Sequence, residues 1–197
     1  MSHYYINDET LSHKIQTIDL TINKTTLKFQ TDKGVFSKSG LDYGTRVLLE
    51  NIQLSDQKIK VVDMGCGYGP IGLYVAKTYP KSFVYMIDIN QRAIDLAHKN
   101  KELNHIKNVE ISQGFLFEQV QHQVDVILTN PPIRAGKQVV FALYEQAYHK
   151  LNQGGILYVV IQKKQGAPSS KEKIESLFGH VDILDKNKGY WILSAKK

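Results

Sequence analysis

Apolar and polar positions alternate with two different periods along the chain, and each period predicts one type of element. Residues 17–32 alternate every second position on both sides of Asn23-Lys24, which predicts a β-hairpin. Residues 34–44 show neither period and predict an irregular loop. Residues 45–54 place their apolar side chains on one face of a helix. The first quarter of the chain is therefore expected to form a hairpin, a loop and a helix.

After this region, strand and helix patterns take turns to the end of the chain. Parallel strands need a crossover helix, so this order predicts a Rossmann-like, doubly wound α/β fold with a mostly parallel seven-stranded sheet. The last two strands have no helix between them and should form an antiparallel hairpin at one edge of the sheet. The predicted strands are 59–65, 83–90, 108–112, 124–130, 154–162, 180–186 and 189–196, and the predicted helices are 70–79, 91–103, 137–151 and 169–179, the last with serine caps.

Composition narrows the class of protein further. The 197 residues are 42% hydrophobic and 22% charged, which is typical of a globular domain and not of a disordered chain. The N-terminus lacks the apolar stretch of a signal peptide, and no segment has the length of a membrane span. These features predict a cytoplasmic protein without a membrane partner. The net charge of +6 fits an anionic partner such as RNA, or simply a basic, solubilising surface.

A glycine-rich loop, "VVDMGCGYGPIG" at residues 61–72, joins the first strand of the alternating part to its helix. Glycines 65, 67 and 69 let the backbone turn tightly and approach a ligand. The dinucleotide fingerprint would place its third glycine where Pro70 stands, and proline has no N–H to offer a phosphate. The loop therefore disfavours a diphosphate cradle. A plain strand-to-helix turn is the alternative.

Two acidic residues end the first two strands of this part, Asp63 and Asp88. Asp88 follows Gly65 by 23 positions, where a carboxylate accepts both hydroxyls of a ribose. Asp63 supplies a second carboxylate near the same cleft. Two carboxylates without a phosphate cradle suit a ligand with an adenosine and a cation, and S-adenosylmethionine has both.

The motifs "VVDMGCGYGPIG", "VYMIDIN" and "NPPI", in this order, resemble class I S-adenosylmethionine-dependent methyltransferases. The preceding stretch "GVFSKSGLDYGTRVLL" narrows the resemblance to the methyltransferase small domain of the small-subunit ribosomal RNA guanine-N2 methyltransferases. The resemblance runs from about Tyr4 to Lys197. It implies one methyltransferase domain over 1–197, with an N-terminal extension at 1–33 and a cofactor-binding catalytic core at 34–197.

The resemblance also implies a set of cofactor contacts. The glycine loop and the acid before it would line the methionine end, and the end of the second strand would hold the ribose and adenine. The segment "SQGF" stands where related enzymes often have an acid that touches the adenine amine, so backbone atoms are expected to replace that contact. The cofactor-binding residues expected on this basis are Asp63, Gly65, Gly67, Asp88, Ile89, Asn90, Gly114, Phe115 and Asn130.

The segment "NPPIRAGK" (130–137) follows an apolar strand, and two consecutive prolines restrict its backbone directly after the strand. The lone pair of an aromatic exocyclic amine is delocalised, and two hydrogen-bond acceptors on its N–H bonds can turn that lone pair toward a methyl donor. The Asn130 side-chain oxygen and the Pro131 carbonyl are suited to this task. Pro131 and Pro132 fix two backbone φ angles and hold these acceptors still. The alternative is a strand-ending turn without a catalytic role.

The residues after the prolines are the expected substrate contacts. Enzymes of the resembled type usually place an aromatic side chain there to stack on the target base, but this sequence has Ile133. Phe36 and Tyr43, upstream, are candidate replacements, and Arg134 and Lys137 are placed to hold phosphates. The histidines show no metal-ligand spacing, so no metal is expected.

These features predict methyl transfer to an exocyclic amine of RNA, most specifically guanine N2 of small-subunit ribosomal RNA. A protein glutamine methyltransferase is one alternative, and a non-catalytic, cofactor-binding RNA-interacting protein is another. The resembled enzymes often carry two tandem copies of the domain, whereas this sequence shows one. Recognition is then expected from this domain, from a homodimer partner or from the ribosomal particle.

Overall fold

The structure is a computed structural model and describes residues 15–32 and 41–197. Phe36 and most of the predicted 34–44 loop lie outside these residues. The described strands are β1 (Ile15–Ile22), β2 (Thr25–Asp32), β3 (Lys60–Met64), β4 (Phe83–Asp88), β5 (Val109–Gln113), β6 (Val124–Thr129), β7 (Leu151–Gln162), β8 (Asp182–Asn187) and β9 (Tyr190–Lys196). The described α-helices are α1 (Tyr43–Asn51), α2 (Pro70–Thr78), α3 (Gln91–Leu103), α4 (Lys137–Lys150) and α5 (Ala167–Phe178).

Seven strands form one sheet in the order β5-β4-β3-β6-β7-β9-β8. The first five of these pair in parallel, while β9 pairs antiparallel with both β7 and β8. This confirms the predicted doubly wound sheet with an antiparallel hairpin at one edge. The chain order reverses between β3 and β6, and in open α/β sheets ligands bind at the carboxyl ends of the strands beside such a reversal.

Two apolar clusters cover the faces of the sheet. One cluster contains side chains of α1, α2 and α3, and the other contains side chains of α4 and α5. The separate hairpin β1–β2 belongs to the first cluster, because Leu20, Ile22, Leu27 and Phe29 are buried there. No helix in the described part of the chain is long and apolar enough to cross a membrane.

Two asparagines, Asn100 in α3 and Asn104 at its C-terminal cap, pair with the edge of the β1–β2 hairpin as a neighbouring strand would. Asn104 accepts from Lys28 N at 2.9 Å and donates to Lys28 O at 2.7 Å. Asn100, one helical turn earlier, accepts from Gln30 N at 2.7 Å, donates to Gln30 O at 3.0 Å and also donates to Tyr68 O at 2.9 Å. The two side chains therefore satisfy backbone groups of β2 and tie the hairpin to the core.

Replacing Asn100 with alanine is expected to lower the free energy of unfolding by about 2 kcal/mol, since buried backbone groups lose their partners. Asn100 is fully buried, whereas Asn104 is partly exposed, so water can replace the Asn104 contacts. Asn104→Ala is the matched control and should cost clearly less. Urea unfolding measures both changes, and a loss for Asn104→Ala as large as that for Asn100→Ala would contradict the argument that burial makes the Asn100 contacts more costly to remove.

Three sequence predictions of helix ends need correction. The predicted serine caps of α5 are wrong, because the helix begins after Gly166, whose φ of 105° and ψ of 22° form a left-handed cap, and Ser169 and Ser170 lie within its first turn. Leu151 begins β7 and does not end α4. Helix α1 starts two residues before the predicted position, because Asp42 caps it by accepting from Thr45 N.

Candidate active site

The glycine loop wraps around the end of β4. Gly65, Gly67 and Gly69 have φ angles of 74°, 57° and 97°, a left-handed region in which residues with a Cβ are strained. Gly65 N and Cys66 N donate to Ile87 O at 2.9 Å and 3.0 Å. The positive φ angles explain why glycines stand at these three positions, and Pro70 takes the predicted place at the start of α2.

Asp88 is the link between the glycine loop and α3. Its Oδ2 atom accepts from Gly67 N at 2.8 Å and its Oδ1 atom accepts from Asn90 N at 2.9 Å. Asn90 in turn caps α3 by accepting from the backbone N–H groups of residues 92 and 93. The carboxylate is thus held in one orientation at the carboxyl edge of the sheet, where a ribose would bind.

Asp63 lies beneath the glycine loop and is fully buried. Its Oδ2 atom accepts from Gly72 N at 2.8 Å, at the start of α2. Its Oδ1 atom is buried and lacks a hydrogen-bond partner among the described residues. Burial and the nearby Asp88 carboxylate raise the pKa of Asp63 to about 7, although the hydrogen bond from Gly72 acts in the opposite direction. A cation bound nearby would favour the ionised form of this group.

Asn130 has its side-chain amide fixed by two oxygens. Its Nδ2 atom donates to Asp42 Oδ2 and to Thr45 Oγ1, each at 3.1 Å. The Thr45 hydroxyl donates to the same Asp42 oxygen at 3.3 Å, which leaves its lone pairs to accept from Asn130. Because the amide nitrogen is directed at these oxygens, the Oδ1 atom is the part of the side chain that can accept a bond from a substrate.

Asp42 is the centre of a network that sequence reasoning missed. It caps α1, it anchors Asn130, and its Oδ1 atom accepts from the Tyr190 hydroxyl at 3.3 Å. The three partners come from α1, the end of β6 and the start of β9. An aspartate three residues before a threonine at a helix start is a capping signal that identifies Asp42 as a cap, but not as a neighbour of Asn130.

The prolines lead into a short 3-10 helix, Ile133–Ala135, and not into an open loop. Pro131 is buried, and Ala135 N donates to Pro132 O at 2.9 Å. A Cβ built on Gly65 would lie 3.9 Å from both Asn130 O and Pro132 Cδ. The glycine loop and the Asn-Pro-Pro segment therefore face each other across the reversal point of the sheet.

The predicted substrate residues lie in different environments. Ile133 is half-buried and packs against the cluster of α4 and α5. Lys137 is the first residue of α4, with its ammonium 5.0 Å from the centroid of the Phe141 ring. Ile133 and Lys137 together line a cavity of about 110 Å³. Arg134 is exposed, and Phe36 is outside the described residues. Their contacts with a substrate stay predictions.

The predicted adenine contacts follow β4 and β5. Ile89 is half-buried, and its carbonyl accepts from Gln113 Nε2 at 3.0 Å. Gly114 N donates to Asp88 O at 3.0 Å, so this backbone lies beside the end of β4. Phe115 is 40% exposed, which leaves its ring accessible to a ligand. These positions surround the edge of the sheet on the β4 side of the glycine loop.

The crevice has the features that S-adenosylmethionine requires. The backbone of Gly65 faces Asn130 O and Pro132 Cδ, which lie 3.9 Å from the position of a Cβ, so the glycine loop and the Asn-Pro-Pro segment form the two sides of the crevice. Asp88 offers a fixed carboxylate for ribose hydroxyls, and the unpartnered Asp63 Oδ1 suits a group that carries positive charge. Within the described ranges, no three His, Cys, Asp or Glu side chains are grouped as metal ligands.

The sequence matches one protein-family model and several known proteins. The model of the methyltransferase small domain matches residues 26–194. Uncharacterized protein YbxB from Bacillus subtilis (strain 168) is 44% identical over 197 residues, which cover 99% of this chain and 98% of that protein. Ribosomal RNA small subunit methyltransferase C from Haemophilus influenzae (strain 86-028NP) is 35% identical over 169 residues, covering 83% of this chain and 49% of that protein.

A solved structure is similar over most of the chain. It is a 16S rRNA N2 methyltransferase (RsmC) from T. thermophilus in complex with AdoMet and guanosine, with a TM-score of 0.82 and 25% sequence identity. The match covers 93% of this chain and 50% of that one. The chain thus spans about half the length of the named ribosomal RNA methyltransferases that it matches.

Proposed function

Because the chain belongs to the methyltransferase small domain family, we propose that it transfers a methyl group to an exocyclic amine of RNA. The target that we propose is guanine N2 in small-subunit ribosomal RNA, which is supported by the similarity to the 16S rRNA N2 methyltransferase. Other similar proteins are named large subunit methyltransferase G, so large-subunit RNA is the alternative substrate. S-adenosylmethionine is the cofactor. The observation that carries the proposal is the Asn130 amide, which is held by Asp42 and Thr45 at the reversal point, opposite Gly65.

The residues of the site perform three tasks in this reaction. When bound, S-adenosylmethionine supplies a methyl group that its positively charged sulfur has already activated. Asp88 and the glycine loop hold and orient the cofactor. Asn130 Oδ1 and the Pro131 carbonyl accept the amine hydrogens of the base and direct its lone pair toward the methyl group. Asn130 is neutral and cannot remove a proton, so the methylated amine loses its extra proton to water. Rate enhancement then comes from positioning the two reactants.

Methyl transfer with separated substrates tests this proposal. Tritium-labelled S-adenosylmethionine is incubated with purified protein and small-subunit ribosomal RNA, large-subunit ribosomal RNA or ribosomal proteins. We expect label in small-subunit RNA, recovered as N2-methylguanosine by mass analysis of nucleosides. Label in ribosomal protein would support glutamine methylation instead. Tight cofactor binding without transfer to any substrate would support a non-catalytic role.

The buried Asp63 predicts that cofactor binding depends on pH. Its pKa of about 7 lies above the ordinary value of 3.8, so near pH 6.5 the free protein holds a proton there. The cationic cofactor lowers this pKa, and its binding should release the proton and strengthen as pH rises to about 7. Calorimetry in two buffers with different ionisation enthalpies measures the release.

Asp63→Asn is the control for this effect, because an amide does not titrate in this range. The variant should give the same binding enthalpy in both buffers. A wild-type enthalpy that is also independent of the buffer would contradict the assignment of the proton to Asp63.

We propose that this domain itself contacts the RNA, with ribosomal RNA or the small subunit as its partner in the cytoplasm. A homodimer would widen the contact surface. Light scattering of the purified protein, alone and with RNA, measures whether two copies associate.

A further inference from the structure

Four exposed lysines lie on two touching segments at the carboxyl edge of the sheet, and we call this region the lysine surface. Its members are Lys163 and Lys164, after the end of β7, and Lys186 and Lys188, at the tip of the β8–β9 hairpin. The two segments touch, because Lys163 N donates to Gly189 O at 2.7 Å. Residues 162–165 and 186–190 contain these four lysines and no acidic residue. The surface is therefore locally cationic.

The lysine surface is not neutralised by the rest of the described chain. The ion pairs found within residues 15–32 and 41–197 involve other cations. Lys186 and Lys188 lie over aromatic rings instead, at 4.4 Å from the centroid of Trp191 and 4.7 Å from the centroid of Tyr43. Four cations, two of which lie over aromatic rings, favour a partner that combines negative charge with flat rings.

Two tyrosines connect this surface to the site of the reaction. The Tyr43 hydroxyl donates to Asn187 Oδ1 at 2.8 Å, and the Tyr43 and Tyr190 rings are 6.0 Å apart. The Tyr190 hydroxyl donates to Asp42, which anchors Asn130. The lysine surface is therefore connected to the Asn130 amide by a continuous chain of contacts through Tyr43, Tyr190 and Asp42.

The order of strands places the lysine surface and the expected cofactor-binding residues on opposite sides of β6. The glycine loop follows β3 and Asp88 ends β4, on one side of β6, whereas the lysines lie at the ends of β7 and β8 and beside the start of β9, on the other side. Asn130 directly follows β6, between them. The lysines therefore lie on the side of Asn130 that is opposite to the glycine loop.

We propose that the lysine surface binds the phosphate backbone of RNA next to the target nucleotide, with Tyr43 and Tyr190 beside the adjoining bases. This rests on the proposed function for the identity of the partner. Lysines that contact phosphates supply affinity and orientation without reading sequence. The lysine surface would thus bind the RNA backbone while one base lies against Asn130.

The test replaces the four lysines together, as K163Q/K164Q/K186Q/K188Q. A matched control, K24Q/K58Q/K99Q/K107Q, removes the same charge from exposed lysines elsewhere. Filter binding of a small-subunit ribosomal RNA transcript is measured between about 50 and 200 mM KCl, where counterion release makes affinity depend steeply on salt. Cofactor affinity and melting temperature verify that each variant is folded.

We expect the Kd for RNA to rise about tenfold in the lysine-surface variant, and the salt slope to fall by about 3, which is roughly 0.7 for each lost phosphate contact. The KM for RNA in methyl transfer should rise in parallel. The control should shift both quantities much less. Equal shifts in the two variants would overturn the proposal.

The two proposals can fail separately in this experiment. If the wild type methylates RNA and the two quadruple variants have the same Kd for RNA, the proposed role of the lysine surface is wrong and the proposed function stands. If the wild type transfers methyl groups only to protein, the proposed function falls. The RNA affinities of the two variants then still decide the proposal on the surface, in the same direction as before.

Discussion

Replacing Asn130 with alanine is expected to lower the rate of methyl transfer by about 100- to 1,000-fold, the usual cost of removing one preorganised hydrogen-bonding group from an active site. The amide is already fixed by Asp42 and Thr45, so the reaction does not have to order it. Single-turnover transfer from labelled S-adenosylmethionine to small-subunit ribosomal RNA measures the loss. Asn130 is also an expected cofactor contact, so the transfer rate is measured at saturating S-adenosylmethionine, where a weaker affinity for the cofactor does not lower it.

Asn152→Ala provides a matched control for this prediction. The Asn152 amide also donates to an aspartate, with 2.7 Å to Asp125 Oδ1, but it lies near the start of β7 at the opposite edge of the sheet. The same atoms are removed in both variants, and only the first is expected to lose activity. If Asn130→Ala is as active as Asn152→Ala, the acceptor role of Asn130 is wrong.

The positions of the predicted site residues follow from the sequence because each one stands at or near the end of a strand pattern. Gly65 and Asn130 directly follow β3 and β6, Asp88 ends β4, and the carboxyl ends of parallel strands meet at one edge. Topology alone therefore brings them together. The alternation of strands and helices fixed that topology, since parallel neighbours need a crossover between them.

The groups that hold Asn130 could not be predicted in this way. Asp42 and Asn130 are 88 residues apart, and Asp42 and Tyr190 are 148 apart, so no local pattern joins them. The same limit applies to Asn100, which looks like an ordinary polar position of α3 until β2 is placed against it. The wrong serine caps have a local cause, because Gly166 turns the chain into α5 before the serines are reached.

Replacing Asp42 with serine is expected to lower the rate of methyl transfer by about 10- to 100-fold, because a small displacement of a positioning group is costly. Serine caps a helix about as well as aspartate, so α1 should remain stable. Its shorter side chain cannot accept from Thr45 N and from Asn130 Nδ2 together. Asp42→Asn keeps a carbonyl oxygen of the same reach and should retain most of the activity. Thermal unfolding and single-turnover transfer, measured for both variants, separate capping from positioning.

A double variant decides whether Asp42 acts through Asn130. Asp42 touches the Asn130 amide and not the reacting atoms, so it should have no effect once that amide is absent. Asn130→Ala combined with Asp42→Ser should therefore be as active as Asn130→Ala alone, because two residues in one chain of contacts are not additive. Adding Thr45→Val to Asp42→Ser removes both anchors, and the loss should approach that of Asn130→Ala without exceeding it. A further loss in the Asn130→Ala background would mean that Asp42 contributes to the reaction by another route.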